Sequence, residues 1–256
     1  MISSDFRAEA RRKLSGKWKK AICITLAYLL IFFVIGMIEG MFPESMKGIF
    51  SIITIVIEIP ISFGLIFSFM KLYNGEEVKA FDFFNLGFSN FAKSWKITLH
   101  VLVKMLVPVI LIIVSYLLIG FGTFGSLGTA LYSSSASAGF GFLAIIGFIL
   151  LIVSMIWSVT KSYYYQLAYF IAVDNTDITA KEAVTKSAEL MSGKRSKLFF
   201  LQLSFIGWAI LATIPFLIGY IWLLPYIQIA TIAFYKFVSN NNSNVEAENN
   251  NPIQGE

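Results

Sequence analysis

The sequence carries little charge for its length. Of its 256 residues, 14% are Asp, Glu, Lys or Arg and 57% are hydrophobic, whereas an ordinary soluble domain has about 25% charged and about 45–50% apolar residues. One soluble core cannot bury such an excess of apolar residues. The composition therefore indicates a protein that has a membrane as its solvent.

Cysteine and histidine are nearly absent. The single cysteine, Cys23, excludes an internal disulfide, and the single histidine, His100, lacks the second imidazole or the Cys and carboxylate partners of a zinc or iron site. We interpret Cys23 as a small apolar residue and His100 as an interfacial hydrogen-bonding residue. No metal site is expected.

Catalytic and cofactor-binding motifs are also missing. The sequence has no G-x-S-x-G nucleophile elbow, no H-E-x-x-H and no Walker loop. The run "GFGTFG" (120–125) matches the dinucleotide-binding pattern, but that pattern has meaning only after a strand, and here it follows a predicted membrane helix. We therefore expect no enzymatic activity, no catalytic residues and no cofactor.

Instead of catalytic motifs, the sequence contains long apolar runs. A helix needs roughly 20 apolar residues to cross a hydrocarbon core of about 30 Å. Six segments approach this length: 21–42, 49–70, 97–119, 142–173, 198–216 and about 222–238. They predict an all-α, polytopic membrane protein with six transmembrane helices, arranged as three helical hairpins at about 21–70, 97–173 and 198–238.

The positive charges predict the orientation, because short cytoplasmic loops retain Lys and Arg. They concentrate before the first segment, in the second connection and in the fourth. The first connection has only Lys47, set against Glu44, and the third and fifth have no charge, so both termini are predicted to be cytoplasmic. We interpret the net charge of +5 as a result of this bias, and we expect the positive charges to attract anionic lipid headgroups. Nucleic acid is not an expected partner.

The entries to the first, third and fifth membrane helices resemble one another. They read "GKWKKAICITLAYLL" from Gly16, "AKSWKITLHVLVKML" from Ala92 and "GKRSKLFFLQLSFIG" from Gly193, and each follows a segment able to lie on the membrane surface. This pattern predicts three repeats of a cytoplasmic interfacial helix and a hairpin, the first interfacial helix being 3–19. The alternative is that the three entries are not repeats and resemble one another only because all bacterial membrane hairpins have basic inner ends and aromatic belts.

The middle repeat departs from this pattern. Its second apolar segment has 32 residues (142–173), about 48 Å of helix, which is too long for one untilted crossing. We place the crossing at about 150–173 and expect 139–149 to be an extension or a short re-entrant piece. The Gly- and Ser-rich run 120–139 is predicted to be a flexible outer linker.

Three charged residues lie within the predicted membrane helices. They are Glu58, Lys104 and Lys161, at overlapping estimated depths. Because such charges are costly in lipid, they normally face a partner or a wet cavity. One hypothesis is that Glu58 pairs with Lys104 or Lys161 along a polar path for a solute or a proton. The alternative is an ion pair that fixes helix register, with the spare lysine extending to the headgroups.

The most polar internal segment, 174–197, predicts a short capped helix. Thr179 and Glu182 have the spacing of a capping box, and Gly193 offers the left-handed residue that ends a helix. The helix is predicted over about 180–192. Its apolar stripe consists of Ala180, Val184, Ala188 and Met191, which we expect to dock on the membrane interface or on the ends of membrane helices.

The carboxy-terminal half resembles a known family. The run "DN…ITAKEAVTKSAELMSGKR…LFFLQLSFIGWAIL", followed by "IGYIWLLPYIQIATIAFYKF", is similar to the bacterial integral-membrane family called domain of unknown function nine-seven-five, as is the opening "ARRKLSGKWKKAI". The resemblance extends to about Val238. It implies a multi-pass plasma-membrane protein of Gram-positive-type bacteria and supplies no activity and no catalytic residues.

These observations give one transmembrane domain over 1–238 and an Asn-rich tail over 239–256. The tail has too few apolar residues to fold and is predicted to be disordered and cytoplasmic. We expect a non-enzymatic structural or accessory protein whose partners are membrane lipids or another membrane protein. The alternative is a small-solute or peptide transporter, or an immunity protein, that uses the polar path near Glu58, Lys104 and Lys161.

Overall fold

The computed structural model describes residues 1–214 and 218–250. Within these ranges every regular element is an α-helix, as the apolar runs predict. In chain order the helices are α1 (Ser3–Leu14), α2 (Trp18–Gly40), α3 (Glu44–Asn74), α4 (Asp82–Ser89), α5 (Phe91–Thr129), α6 (Ser134–Tyr165), α7 (Ala168–Asp174), α8 (Ala180–Met191), α9 (Arg195–Thr213) and α10 (Tyr220–Asn250).

In the part of the chain that the structure describes, six stretches of helix are long and apolar enough to cross a membrane, which confirms the predicted number. They are Trp18–Gly40, Glu44–Asn74, Phe91–Thr129, Ser134–Asp174, Arg195–Thr213 and Tyr220–Asn242. The fourth stretch consists of α6 and α7, which are separated by residues 166 and 167. The chain is thus an all-α, multi-pass membrane protein.

The chain forms two compact units. The first contains Met1–Thr98 and the described residues from Gln166 onward, and the second is Leu99–Tyr165. The second unit is a hairpin of α6 and the greater part of α5. The first unit holds the remaining helices and the buried core described below.

The Gly- and Ser-rich connection of the second unit is helical, so the prediction of a flexible linker over 120–139 is wrong. Helix α5 continues to Thr129 and α6 begins at Ser134. Two of its glycines, Gly122 and Gly125, serve close helix packing instead. A Cβ on Gly122 would lie 2.5 Å from the backbone nitrogen of Ala144, and small residues allow the backbones of membrane helices to approach in this way.

Two further predicted boundaries differ in the structure. Residues 139–149, expected as an extension or a re-entrant piece, lie inside the continuous helix α6, and the break at 166–167 divides the predicted crossing 150–173. Helix α10 continues to Asn250, through 239–250 of the predicted disordered tail. Extending a formed helix fixes one residue at a time and avoids the cost of a new nucleus. Residues 251–256 of that tail lie outside the described residues.

The order of one short helix and two long ones occurs three times along the chain. Helices α1, α4 and α8 are the three segments that the sequence placed on the membrane surface, and a long hairpin follows each. The predicted first surface helix, 3–19, is shorter in the structure because α1 ends at Leu14.

The same tight turn links the short and long helices in the first and third repeats. Lys17 N–H donates to Leu14 O at 2.8 Å, and Lys194 N–H donates to Met191 O at 3.1 Å. The glycine between has a φ of 74° in the first turn and 69° in the second. This is a type II turn, whose third residue needs a positive φ that glycine adopts without strain.

Each short helix packs against the returning helix of the preceding repeat. Within the first unit, α4 contacts α3, α8 contacts α7, and α1 closes the cycle by contacting α10 at the other end of the chain. The apolar stripe of α1, formed by Phe6, Ala10 and Leu14, is completely buried. The short helices therefore cover other helices of the protein, and their location at the membrane surface stays a prediction.

The contact between α3 and α4 is the closest of these. A Cβ on Gly64 would lie 1.8 Å from Phe83 O, and one on Gly87 would lie 2.1 Å from Pro60 O. Pro60 also lacks the N–H that would bond Val56 O in a regular helix. Trp95 Nε1–H donates to that carbonyl at 3.3 Å, so the proline does not leave this partly buried acceptor unpaired.

Equivalent lysines cap the returning helices of the first two repeats. Lys17 Nζ donates to Leu72 O, in the last turn of α3, at 3.0 Å. Lys93 Nζ donates to Ala172 O, in the last turn of α7, at 3.1 Å and to Thr176 O, two residues beyond that helix, at 2.7 Å. The last carbonyls of a helix have no partner within it and carry a partial negative charge, so an ammonium stabilises them.

Replacing Gly64 with alanine should destabilise the protein strongly. The new Cβ would meet backbone atoms of α4 that have no rotamer to change, so we expect a loss of at least about 2 kcal/mol of folding free energy. Thermal denaturation of the purified protein in detergent measures this loss. Gly48→Ala is the control in the same helix, because a Cβ there has no atom within 4 Å. Equal stability of the two variants would contradict the close packing of α3 on α4.

Candidate functional site

An aromatic cavity of ≈ 440 Å³ lies in the first unit, beside α1 and between α9 and the start of α10. Ligand sites in proteins commonly have volumes of about 300–1,000 Å³. Three of the chain's five tryptophans line it. Among the described residues, the lining consists of Arg11, Trp18, Trp208, Leu211, Ala212, Gly219, Trp222, Leu223 and Tyr226.

Helical spacing produces the two main walls of this cavity. On α9, Trp208, Leu211 and Ala212 are three and four residues apart, which places them on one face. On α10, Trp222 and Tyr226 are related in the same way. A Cβ on Gly219 would lie 2.6 Å from Ala212 Cα, so the two walls meet at backbone distance at this point.

One cation stands at the edge of the cavity. Arg11 Nη1 donates to Tyr226 Oη at 2.9 Å, and Tyr226 Oη donates to Arg7 O at 3.3 Å. Phe205 contacts the Tyr226 ring edge to face, with ring centroids 5.1 Å apart. Arg11 itself is exposed, so a ligand in the cavity can reach its guanidinium.

The cavity suits an amphipathic ligand. A guanidinium presents five N–H donors in a planar fork that matches phosphate and carboxylate oxygens. The remaining lining is aromatic or aliphatic, which favours an apolar chain. The described lining residues include no carboxylate, imidazole or thiol, the groups that most often transfer protons or attack a substrate.

The three predicted membrane charges lie outside this cavity. Glu58 is an exposed residue of α3 in the first unit, and Lys104 and Lys161 belong to α5 and α6 in the second. The Lys161 ammonium lies 5.7 Å from the centroid of the Trp157 ring. The pairing of Glu58 with a lysine stays a prediction.

The predicted docking face of α8 lies against other helices of the first unit. Ala180, Val184 and Met191 are buried and Ala188 is partly exposed, and α8 contacts α7 and α10. Ala183 and Ser187, both completely inaccessible, lie nearer the centre of the contact. The sequence stripe missed them because it was centred on the Ala188 side of the helix, whereas the buried face is rotated toward Ala183 and Ser187.

The predicted capping box of α8 is formed. Glu182 N–H donates to Thr179 Oγ1 at 3.3 Å, and Thr179 N–H donates to Glu182 Oε2 at 3.1 Å. The pKa of the Glu182 carboxyl is lowered, first by the hydrogen bond from the Thr179 backbone and then by the Thr179 hydroxyl. The box therefore favours the ionised carboxylate.

Sequence reasoning missed an ion pair that joins α7 to α10. Lys236 Nζ lies 2.5 Å from Asp174 Oδ1, and Tyr235 Oη donates to Asp174 Oδ2 at 2.8 Å. Both oxygens of one carboxylate are thus engaged by adjacent residues of α10. The equivalent lysine of the first repeat, Lys71, lies 3.8 Å from Glu76. A signal was available, because Pro60 precedes Lys71 and Pro225 precedes Lys236 by the same eleven residues. The partner of Lys236 could not be identified without knowing that Asp174 lies beside α10.

Comparison with known proteins identifies one family. Residues 1–242 match the family model described as "Protein of unknown function (DUF975)". No curated protein and no solved structure matches the chain.

Removal of the Thr179 cap should weaken α8. Thr179→Ala takes away the acceptor for Glu182 N–H, and loss of such a cap costs about 1 kcal/mol. Thermal denaturation in detergent measures the change. Thr185→Ala is the control in the same helix, because its hydroxyl donates only within α8, to Lys181 O. The cap has no role if both variants lose the same stability.

The capping box of α8 should also make the free energy of unfolding depend on pH in the acid range. Because the folded-state pKa of Glu182 is lowered, its contribution is fully present above the unfolded value of about 4.3. That contribution is lost as the pH falls through the folded-state pKa. Denaturation of the wild type and of Glu182→Gln should therefore differ at pH 7 and converge once the pH has fallen below the folded-state pKa of Glu182. A constant difference across this range would assign the effect to something other than the carboxylate charge.

Proposed function

The chain belongs to the DUF975 family of proteins of unknown function, and we propose that it is a non-enzymatic membrane protein that binds lipid in the aromatic cavity. The observation that carries this proposal is the combination of three tryptophans and one arginine around a single space of ≈ 440 Å³. A phospholipid has the matching chemistry, with an apolar chain attached to a charged headgroup.

The position of the cavity also favours lipid. It lies among helices that are long and apolar enough to cross a membrane, and Trp208 and Trp222 are each about half exposed. Lipid chains therefore have direct access from the side. Tryptophan is enriched at membrane interfaces because one part of its ring system is apolar and its N–H is polar.

We place the protein in the plasma membrane with both termini in the cytoplasm. The support is the distribution of Lys and Arg, which concentrate before α2, between α3 and α5, and between α7 and α9. In this orientation Arg11 lies on the cytoplasmic side, where the anionic lipids of the inner leaflet concentrate around basic residues.

Shortening the cavity tryptophans should reduce lipid retention. The double variant Trp208→Ala, Trp222→Ala removes two of the four aromatic side chains in the described lining, and each lost ring takes away contact area worth up to a few kcal/mol when a lipid chain covers it. We expect about a tenfold loss or more of lipid that co-purifies in mild detergent, measured by native mass spectrometry.

Trp157→Ala provides the matched control for this experiment. Trp157 lies in the second unit, is 38% exposed and does not line the cavity. Equal lipid retention by the wild type and the double variant would reject the cavity as a lipid site. A solute flux in proteoliposomes that Glu58→Gln abolishes, without retained lipid, would favour the transporter.

Reporter fusions should place both termini in the cytoplasm. Green fluorescent protein at either terminus should be fluorescent, and alkaline phosphatase inserted in the connection 41–43 between α2 and α3 should be active, because it folds only outside the cytoplasm. Reporter activities in the reverse pattern would overturn the orientation while leaving the lipid-binding proposal standing.

A further inference from the structure

We infer that the lipid bound in this cavity is an anionic phospholipid, whose phosphate is bound by the Arg11 guanidinium and whose acyl chain follows the tryptophans. This inference rests on the proposed lipid-binding function and adds to it the class of headgroup. Tyr226 acts as a positioning residue for Arg11.

The charge of the lining favours a headgroup with net negative charge. Arg11 is the only ionic residue among the described residues around the cavity. A phosphate placed there gains a charge-assisted hydrogen bond. A zwitterionic headgroup would bring in an ammonium as well, for which the described lining offers no carboxylate.

Three of the neighbouring cations, Arg12, Lys13 and Lys17, are engaged elsewhere, which distinguishes Arg11 from these three. Arg12 Nη2 lies 2.5 Å from Glu9 Oε2, and Lys13 Nζ lies 4.5 Å from the centroid of the Tyr73 ring. Lys17 donates to Leu72 O. The partner of Arg11 is the neutral hydroxyl of Tyr226, so its positive charge is not compensated there by a carboxylate.

Tyr226 fixes the direction of the guanidinium. Because a carbonyl can only accept, the Tyr226 hydroxyl proton is directed to Arg7 O, and its oxygen then accepts from Arg11 Nη1. The edge-to-face contact with Phe205 holds the ring. One N–H of Arg11 is used in this way, and a guanidinium has four others to offer a phosphate.

The length of the cavity matches part of an acyl chain. Tyr226 and Gly219 both line it, and seven helical residues span about 10 Å. A chain that enters beside Arg11 can therefore pass Trp222 and reach the contact between Gly219 and Ala212. The cavity is smaller than a two-chain phospholipid, so the second chain stays in the bilayer.

The test is a competition between phosphatidylglycerol and phosphatidylcholine. The full-length protein is reconstituted in nanodiscs with equal amounts of the two lipids and transferred to mild detergent, and the retained lipids are identified by native mass spectrometry. We expect the wild type to retain several-fold more phosphatidylglycerol. Arg11→Gln should weaken phosphatidylglycerol retention by about tenfold, the effect of one lost charged hydrogen bond, and should remove the preference.

Two further variants separate positioning from charge. Tyr226→Phe keeps the ring but loses the hydroxyl, so it should retain lipid with a reduced phosphatidylglycerol preference. Arg12→Gln is the matched control, since Arg12 is the adjacent residue, bears the same charge and is paired with Glu9. It should leave the preference unchanged.

The possible results distinguish the two proposals. If the wild type retains lipid without a headgroup preference, or prefers phosphatidylcholine, the anionic assignment is wrong and lipid binding stands. The assignment to Arg11 is also wrong if Arg11→Gln keeps the preference, or if Arg12→Gln loses it equally. If the wild type retains no lipid, the proposed function itself fails.

Discussion

The docking of short amphipathic helices onto the returning membrane helices is the constraint on which the rest of the first unit depends. Helices α1, α4 and α8 each bury one face against a helix of the preceding repeat. At the tightest contact, Gly64 and Gly87 let backbone meet backbone. In a lipid solvent, helices gain little from hiding apolar groups from each other, so such close packing supplies much of the stabilisation.

This docking also creates the cavity. The buried stripe of α1 fixes the rotation of that helix against α10, and Phe6 contacts Phe234 and Phe237 edge to face. With that stripe held, Arg11 on the neighbouring face of α1 comes within hydrogen-bonding distance of Tyr226. An error of one residue in the register of α1 would rotate Arg11 by about 100° and remove the cation from the cavity.

Long helices of the first unit pack against protein along one part of their length and expose apolar side chains along the rest. In α3, the buried residues lie from Pro60 to Leu72, and the first half of the helix is exposed, with Ile52 64% accessible. In α2 the order is reversed, because Ala21 and Ile24 are completely buried and Phe33 is 65% accessible. The core of the first unit therefore lies where the lysine caps and the short helices meet the ends of the hairpins.

Much of the architecture could be predicted from local sequence. Hydropathy identified the six long helices, and the T-x-x-E spacing identified the start of α8. The basic entries from Gly16, Ala92 and Gly193 indicated three repeats. These signals lie within one element or a few residues of each other, so they can be read without knowing what the chain packs against. The same local reading failed at 120–139, because the function of Gly122 in helix packing depends on Ala144 of the next helix.

The cavity and the cyclic order of packing were decided by tertiary structure alone. Arg11 and Tyr226 are 215 residues apart, and neither residue type at its own position indicates a site. Hydropathy indicates that each long helix lies in a membrane, but it does not determine which helix packs beside it. That choice depends on shape, such as the space left by Gly64 and Gly87, and on hydrogen bonds such as that from Lys17 to Leu72 O. These form only when distant parts of the chain meet.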